Sequence, residues 1–412
     1  MSRMRVVITG VGVVSPLGRE LGEFRRSLLS GSAAAAPITV FNPARLPTRI
    51  AAQVDAASLP IQAKDRKVAF GLVAAQTALA DADGGDALPV SEYYDGAGGG
   101  LSLGIGLELF SMPDMVEFIG RGEVPAGADP QTFLQTPSDM CAHLISRRHG
   151  LRDPPLVHVS ACAAATDAIG TAFRMVRDGR RRWALAGGTD SMINPLGVGG
   201  FCAIEATTRR NHEPRRASRP FDRDRDGFLL GEGAGLLVLE TFDDARARGA
   251  HVYAEVLGYG NSFDAHGISE PHPDGEGALL AMRRALSDAG LQPEDVSYIN
   301  AHGTSTPKND VVETRAIRRL FGRHADSVPV SSTKSMIGHL ISAAGAVELA
   351  AAVLCAEAGW VHPTINLERP DPACDLDYVS EGARRMRVET ILKNSFAFGG
   401  QNASLVIRMG TC

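Results

Sequence analysis

Apolar positions along the chain fall into two kinds of run. Short β-branched stretches bounded by glycine predict buried strands at Arg5–Val14, Leu156–Ser160, Arg182–Gly187, Gly235–Leu239, His251–Tyr259, Val296–Ala301 and Val328–Ser332. Apolar residues at helical spacing predict helices over Ala63–Ala82 and Ala278–Ala289. Two further segments, Ala163–Arg177 and Ser342–Ala358, consist mostly of small residues, as suits helices buried on all sides. The chain closes on Thr390–Ser395 and Ala403–Met409, which read as a hairpin around the sequence FAFGGQN.

The strand, polar-loop, small-residue-helix unit occurs twice, as HVSACAAATDAIGTAF and as VSSTKSMIGHLISAAGAVELAAA. This predicts a duplicated α/β architecture with its seam near residues 240–260. The first half is placed at 1–255 and the second at 256–412.

Composition narrows the class. The 412 residues are 44% hydrophobic and 22% charged, which excludes a disordered chain. A net charge of −5 argues against a nucleic-acid binder. No apolar run reaches the roughly 18 residues of a membrane span, and the N-terminus lacks a signal-peptide layout. A cytoplasmic protein with reduced cysteines is expected. Of 42 basic residues only five are lysine (Lys64, Lys67, Lys308, Lys334 and Lys393), so each lysine stands out against an arginine background.

Candidate chemistry sits at strand ends. Cys162 lies where a strand turns into the first small-residue helix, and the helix dipole there favours a thiolate. A free Cys is more often buried and inert. His302, in NAHGTSTPKND, ends a strand, where ligands of α/β sheets gather. Thr304, Ser305 and Thr306 follow it with hydroxyls suited to a carboxylate or thioester oxygen. His339 lies in SSTKSMIGHL, five residues after Lys334. In NSFAFGG, the pair Gly399–Gly400 predicts a turn with backbone N–H groups open to a ligand.

Other motifs carry less. GVGVVS lacks the third glycine of a dinucleotide fingerprint. Asp222-Arg-Asp224-Arg-Asp226-Gly227 misplaces the bidentate ligand of an EF-hand and reads as a solvent-side Arg/Asp network or turn. No cysteine pair has zinc spacing, so no metal is expected.

Taken together, VVITGVGVVSPLG, SACAAATDA, SRPFDRDRDGFLLGEGAG, NAHGTSTPKND, STKSMIGHLISAAGAVE and NSFAFGGQNASL resemble the elongating β-ketoacyl-acyl-carrier-protein synthases of the thiolase superfamily, nearly end to end. The resemblance implies an α/β, five-layered αβαβα fold with two pseudo-repeated halves, usually dimeric. It implies a decarboxylative Claisen condensation between an acyl chain on Cys162 and malonyl-acyl-carrier-protein. His302, His339 and Lys334 would assist, with Glu348 and Asp310 in support. The backbone N–H groups of Cys162 and Phe398 would form the oxyanion hole. Thr304, Thr306, Phe398, Gly399, Gly400, Phe201 and Cys202 would bind substrate, with Phe398 as the gate to malonyl entry. No cofactor is implied beyond the phosphopantetheine of the carrier protein. The partners would be that carrier and a second ketosynthase-type subunit, in a homodimer or a ketosynthase/chain-length-factor heterodimer.

Carrier proteins are acidic, so Lys64, Arg66 and Lys67 are candidates for docking, with Arg209, Arg210, Arg215 and Arg216 as a second cluster. The nucleophile is followed by Ala-Ala-Ala where relatives often carry Thr-Ser-Gly, and Gly98–Ala142 is the least family-like segment. That segment would supply the acyl pocket and dimer surface. A non-catalytic chain-length partner would lack Cys162, a thiolase would need a second cysteine near FAFGGQN, and an acyl-CoA-using initiating synthase would carry Asn in place of His339.

Overall fold

The computed structural model describes residues 3–94, 98–106, 120–122 and 137–410. Ten strands form one mixed sheet: β1 (Val6–Val14), β2 (Gly99–Ile105), β3 (Leu156–His158), β4 (Trp183–Ser191), β5 (Glu232–Thr241), β6 (Ala254–Phe263), β7 (Tyr298–Asn300), β8 (Val330–Ser331), β9 (Thr390–Phe396) and β10 (Gln401–Met409). Their spatial order is β8-β7-β9-β10-β6-β1-β5-β4-β2-β3.

Outward from the β1/β6 seam, the first five strands run 1-5-4-2-3 and the next five run 6-10-9-7-8. This is the same order twice. The pairings repeat too: two antiparallel ladders next to the seam, then two parallel ones. Among the described residues the two sets of strands join where Val6–Ile8 pairs with Ala254–Val256.

Side-chain alternation sorts the strand faces into layers. Ala184 and Ala186 of β4, Leu237 and Leu239 of β5, and Leu405 and Ile407 of β10 share one core with two helices, α2 (Ala164–Arg177) and α6 (Ala344–Glu357). The alternate residues Leu185, Leu236 and Val238 face α1 (Arg66–Ala82). Leu392 and Val406 face α4 (Glu276–Ala289) and α5 (Asn309–Phe321). The short α3 (Pro195–Ala203) packs at one end near Cys162. Helices α2 and α6 are therefore the central layer of an αβαβα stack. That explains their composition: all of Ala344–Ala356 is buried. Close packing is also why β1 carries glycines, since a Cβ on Gly12 would lie 2.0 Å from the Ala74 carbonyl oxygen of α1.

Several elements escaped the apolar pattern. Strand β2 (GGLSLGI) has three glycines and a serine in seven residues, which dilutes the β-branched signal. Helix α5 is polar on much of its surface and opens with Asn309 and Asp310 directly after a Gly/Thr/Pro loop. In the Asp222–Asp226 run Asp222 and Arg225 are buried, whereas Arg223 and Asp226 keep to the solvent side. Asp222 accepts the backbone N–H groups of Glu368 and Arg369 at 2.9 and 2.7 Å, and Arg225 reaches Asp371 at 2.7 Å. Most of the expected acyl-pocket segment, residues 107–119 and 123–136, lies outside the described residues.

Candidate active site

Cys162 stands on a one-turn elbow (Ala161–Ala163) that leads into α2. Ala161 has φ +45°, a left-handed conformation that a non-glycine residue adopts only when the surroundings impose it. His302 follows β7. His339 follows β8 and a four-residue helix, Lys334–Ile337. The fold thus brings one strand end of the first half against two of the second. Cys162 Sγ and a ring nitrogen of each histidine lie within 4.8 Å of one another, all buried.

Hydrogen bonds fix both imidazole tautomers. The Ile341 N–H donates to His339 Nδ1 at 3.2 Å. Lys334 Nζ lies 3.3 Å from His302 Nδ1 and donates to the His302 carbonyl at 2.7 Å. An ammonium is only a donor, so His302 Nδ1 is the acceptor. Each ring therefore carries its proton on Nε2, as a donor available to a substrate oxygen. Burial, then the charge of Lys334, holds both histidines well below the ordinary imidazole range, so both are neutral at pH 7.

Beneath the histidines lies a buried charge network. Glu348 Oε1 is 2.6 Å from Lys334 Nζ and Glu348 Oε2 is 2.8 Å from Lys393 Nζ. Glu313, also fully buried, accepts the N–H groups of His302 and Gly303 at 2.8 and 2.7 Å. Burial pushes its pKa up. Asp310 holds the loop that follows, taking the Thr304 N–H at 3.1 Å and the Phe221 N–H at 2.8 Å. Thr304 and Thr306 join through their hydroxyls at 2.9 Å. Sequence reasoning missed Glu313 and Lys393. Lys393 was visible as one of five lysines, but its place inside a β-strand hid its contacts.

Cys162, His302, Thr304, Thr306, His339 and Phe398 line a common cavity of about 360 Å³. The Phe398 N–H donates to Cys162 Sγ. The thiol itself differs from expectation. Burial pushes it up to about 12, against the opposing pull of Lys334 and the Phe398 N–H. The helix dipole is outweighed because burial in a low-dielectric setting penalises the charged thiolate. Phe201 and Cys202, on α3, belong to the apolar cluster around Cys162 that includes Val198, Phe228 and Ile341.

Some expectations need correction. The N–H groups of Gly399 and Gly400 are spent on the carbonyls of Ile268 and Ala397 at 2.6 and 3.1 Å, so they are not open to a ligand. Their φ values of +84° and +78° instead shape the turn that presents Phe398. Nor do Lys64, Arg66 and Lys67 form a basic patch. Only Lys64 is exposed. Arg66 is bound to the fully buried Glu232 and to the Val54 carbonyl, and Lys67 is buried 3.1 Å from Asp65, which caps α1. Of the second cluster, Arg209 pairs with Glu205 at 3.2 Å beside the cavity lining, and Arg215 is exposed.

A Cys–His–His set is also a zinc-type donor set. Here both Nε2 atoms hold protons and an ammonium stands beside them, so the arrangement suits donation to a developing oxyanion and opposes a dication.

Comparison with known proteins agrees with this geometry. The family model described as beta-ketoacyl synthase, N-terminal domain, matches residues 3–245, and its C-terminal counterpart matches residues 253–368. The chain belongs to the β-ketoacyl synthase family. Relatives of this synthase include 3-oxoacyl-[acyl-carrier-protein] synthase 2 of Synechocystis, 42% identical, and that of Coxiella burnetii, 41% identical, each with 99% of both chains covered. Among solved structures, a type II PKS acyl-carrier protein in complex with its ketosynthase bound to the hexaketide (AntDE:AntF) matches with a TM-score of 0.90 at 32% identity, over 99% of this chain and 100% of that one. The ishigamide ketosynthase/chain length factor matches at 0.87 and 32%, with the same coverage. The fold is that of the thiolase-like ketosynthases. Among the described residues no helix is long and apolar enough to cross a membrane.

Proposed function

We propose that this synthase elongates acyl chains by decarboxylative condensation on Cys162, in fatty-acid-type synthesis. The observation that carries the reading is the convergence of one thiol and two Nε2–H donors on one cavity, with the Phe398 N–H on the sulfur. Cys162 Sγ attacks the acyl thioester of the carrier's phosphopantetheine. Its proton passes to the departing pantetheine thiol. The malonyl thioester then enters past Phe398, beside the hydroxyls of Thr304 and Thr306. Its C–C bond to the carboxylate breaks and CO₂ leaves. The electron pair forms an enolate whose oxygen accepts from His302 and His339. The enolate carbon attacks the acyl carbonyl, whose oxyanion rests on the N–H groups of Cys162 and Phe398. Collapse expels the Cys162 thiolate and yields the β-ketoacyl-carrier. Losing one such oxyanion donor typically costs about 10²–10³ in rate.

The carrier docks on the exposed basic side chains Lys64, Arg209 and Arg215, which offer positive charge to an acidic partner. The duplicated halves divide between β5 and β6. The dimer forms through β3, an edge strand that exposes Leu156 and Val157, together with the exposed Val159 just after it. That same strand would serve a ketosynthase/chain-length-factor heterodimer, the second reading, which the likeness to the ishigamide pair favours. The test is intact-mass detection of acyl-Cys162 with a panel of acyl-carrier proteins, then condensation with malonyl-carrier. A Cys162→Ala variant that elongates at the wild-type rate sinks the mechanism. Size-exclusion of the chain alone separates homodimer from a subunit that needs a partner.

A further inference from the structure

Lys393 is a charged side chain at the site to which neither motif nor spacing gave a task. It lies on β9 and is fully buried. Its Nζ is 2.8 Å from Glu348 Oε2, donates to the Asn394 carbonyl, and lies 3.3 Å from Ser395 Oγ. The other oxygen of the same carboxylate holds Lys334. One buried carboxylate therefore carries two buried ammoniums, one on each oxygen. Replacing a whole buried ion network with apolar side chains is often neutral for stability, so burial alone gives no reason to retain the set, whereas removing one member alone is destabilising.

The neighbouring charges come from several elements. Glu348 is on α6, Glu313 on α5, and Lys334 opens the short helix after β8. Tyr298 on β7 and His362 feel the Glu348 charge. His302 and His339 face the cluster from above, and Lys393 adds to the positive potential at both.

We propose that Lys393 is a positioning residue for the condensation. By occupying Glu348 Oε2 it confines Lys334 to Oε1, and so keeps the Lys334 ammonium on His302 Nδ1. Without it, Glu348 could take Lys334 with both oxygens and draw Nζ away from the ring. His302 would then lose the partner that fixes its proton on Nε2. The inference rests on the condensing function proposed above, and it adds a residue to that site.

Lys393→Met removes the ammonium at nearly constant volume. The expected result is a fall of about 10²-fold in condensation kcat, the scale of a small misplacement in a reacting geometry. KM for malonyl-carrier and the extent of Cys162 acylation by intact mass should not change. The acidic limb of the kcat profile should move to higher pH, because a lost positive charge lets His302 and His339 take protons more readily. A variant that condenses at the wild-type rate with the same acidic limb overturns the proposal, as does equal loss of acylation and condensation. If Lys393→Met does not fold, the double variant Lys393→Met/Glu348→Gln removes the carboxylate charge together with the ammonium. It should fold and condense slowly, because Lys334 has lost its anchor. Wild-type rates in the double variant, or failure of both variants to fold, also overturn the role. Wild-type protein runs in the same assay, and its failure to condense would count against the condensing function, not against Lys393.

Discussion

Two physical effects compete at Cys162, and a pH titration separates them. The elbow places the sulfur at the start of a 14-residue helix, with Lys334 and the Phe398 N–H nearby, and all three favour thiolate. Burial opposes them and wins, pushing the thiol up to about 12. At pH 7 such a thiol is ionised to about one part in 10⁵, roughly 10³-fold less than an ordinary cysteine, a difference on the order of 4 kcal/mol. Alkylation of the unacylated enzyme by iodoacetamide, followed by intact mass with Cys162→Ala as the blank, reads this population directly. The rate should rise about tenfold per pH unit from pH 7 to 10, with no plateau. Lys334→Ala should be slower at every pH, because it removes a charge that lowers the thiol. A plateau near pH 7 would mean that the dipole and Lys334 outweigh burial, and the account of a neutral resting thiol would fail. An unchanged rate in Lys334→Ala would remove that lysine from the electrostatics of the sulfur.

The same contacts set four further outcomes. His302→Ala and His339→Ala should lose condensation more than acyl transfer, since in the proposed mechanism both donate to the enolate oxygen; a labelled acyl-carrier assay separates the steps, and equal losses count against the roles. Glu313→Ala leaves two buried N–H groups without acceptors and should lower stability by about 2–4 kcal/mol, measured by denaturant melts. Arg66→Glu sets two acids against each other at Glu232 and should destabilise by about 3–5 kcal/mol; a stable variant with only a raised carrier KM would return Arg66 to the docking surface. Val157→Glu on the exposed edge strand should convert the proposed dimer to monomer by size-exclusion, and a dimer unchanged by the substitution would place the interface elsewhere.

The sequence was legible where chemistry and period coincide. The small-residue composition of α2 and α6 marks the central layer, because short side chains let the two helices pack closely between the two halves of the sheet. Cys162, His302 and His339 each end a strand-like run, and the structure brings them together. What was not legible depends on long-range partners. Arg66 read as part of a basic surface because its acid, Glu232, comes from a distant strand, and Lys67 because the local pattern does not show that the first turn of α1 is buried. The N–H groups of Gly399 and Gly400 looked open because the Ile268 carbonyl comes from another loop. Lys393 lies in a strand whose charged partner, Glu348 on α6, is far earlier in the chain.

The duplication itself explains why only one of two similar elbows is assigned the proposed nucleophile. The second elbow, Ile341–Ala343, copies the first: Ile341 has φ +44° against +45° at Ala161, and each leads into a 14-residue central helix. Ser342 therefore stands where Cys162 stands. Its backbone N–H donates to Asp190 Oδ2 at 2.9 Å, from the end of β4, in a fully buried setting. At the first elbow the matching strand end is that of β9, which continues into Phe398 and leaves a cavity rather than a carboxylate over the sulfur. A carboxylate there would raise the thiol further and repel a malonyl group. The same backbone turn thus holds a structural clamp in one half and, in the proposed mechanism, the acyl-accepting thiol in the other, with the difference set by what the facing strand delivers. Cys162, His302 and His339 become one site only because the two halves face each other across α2 and α6, so neither half alone contains the chemistry.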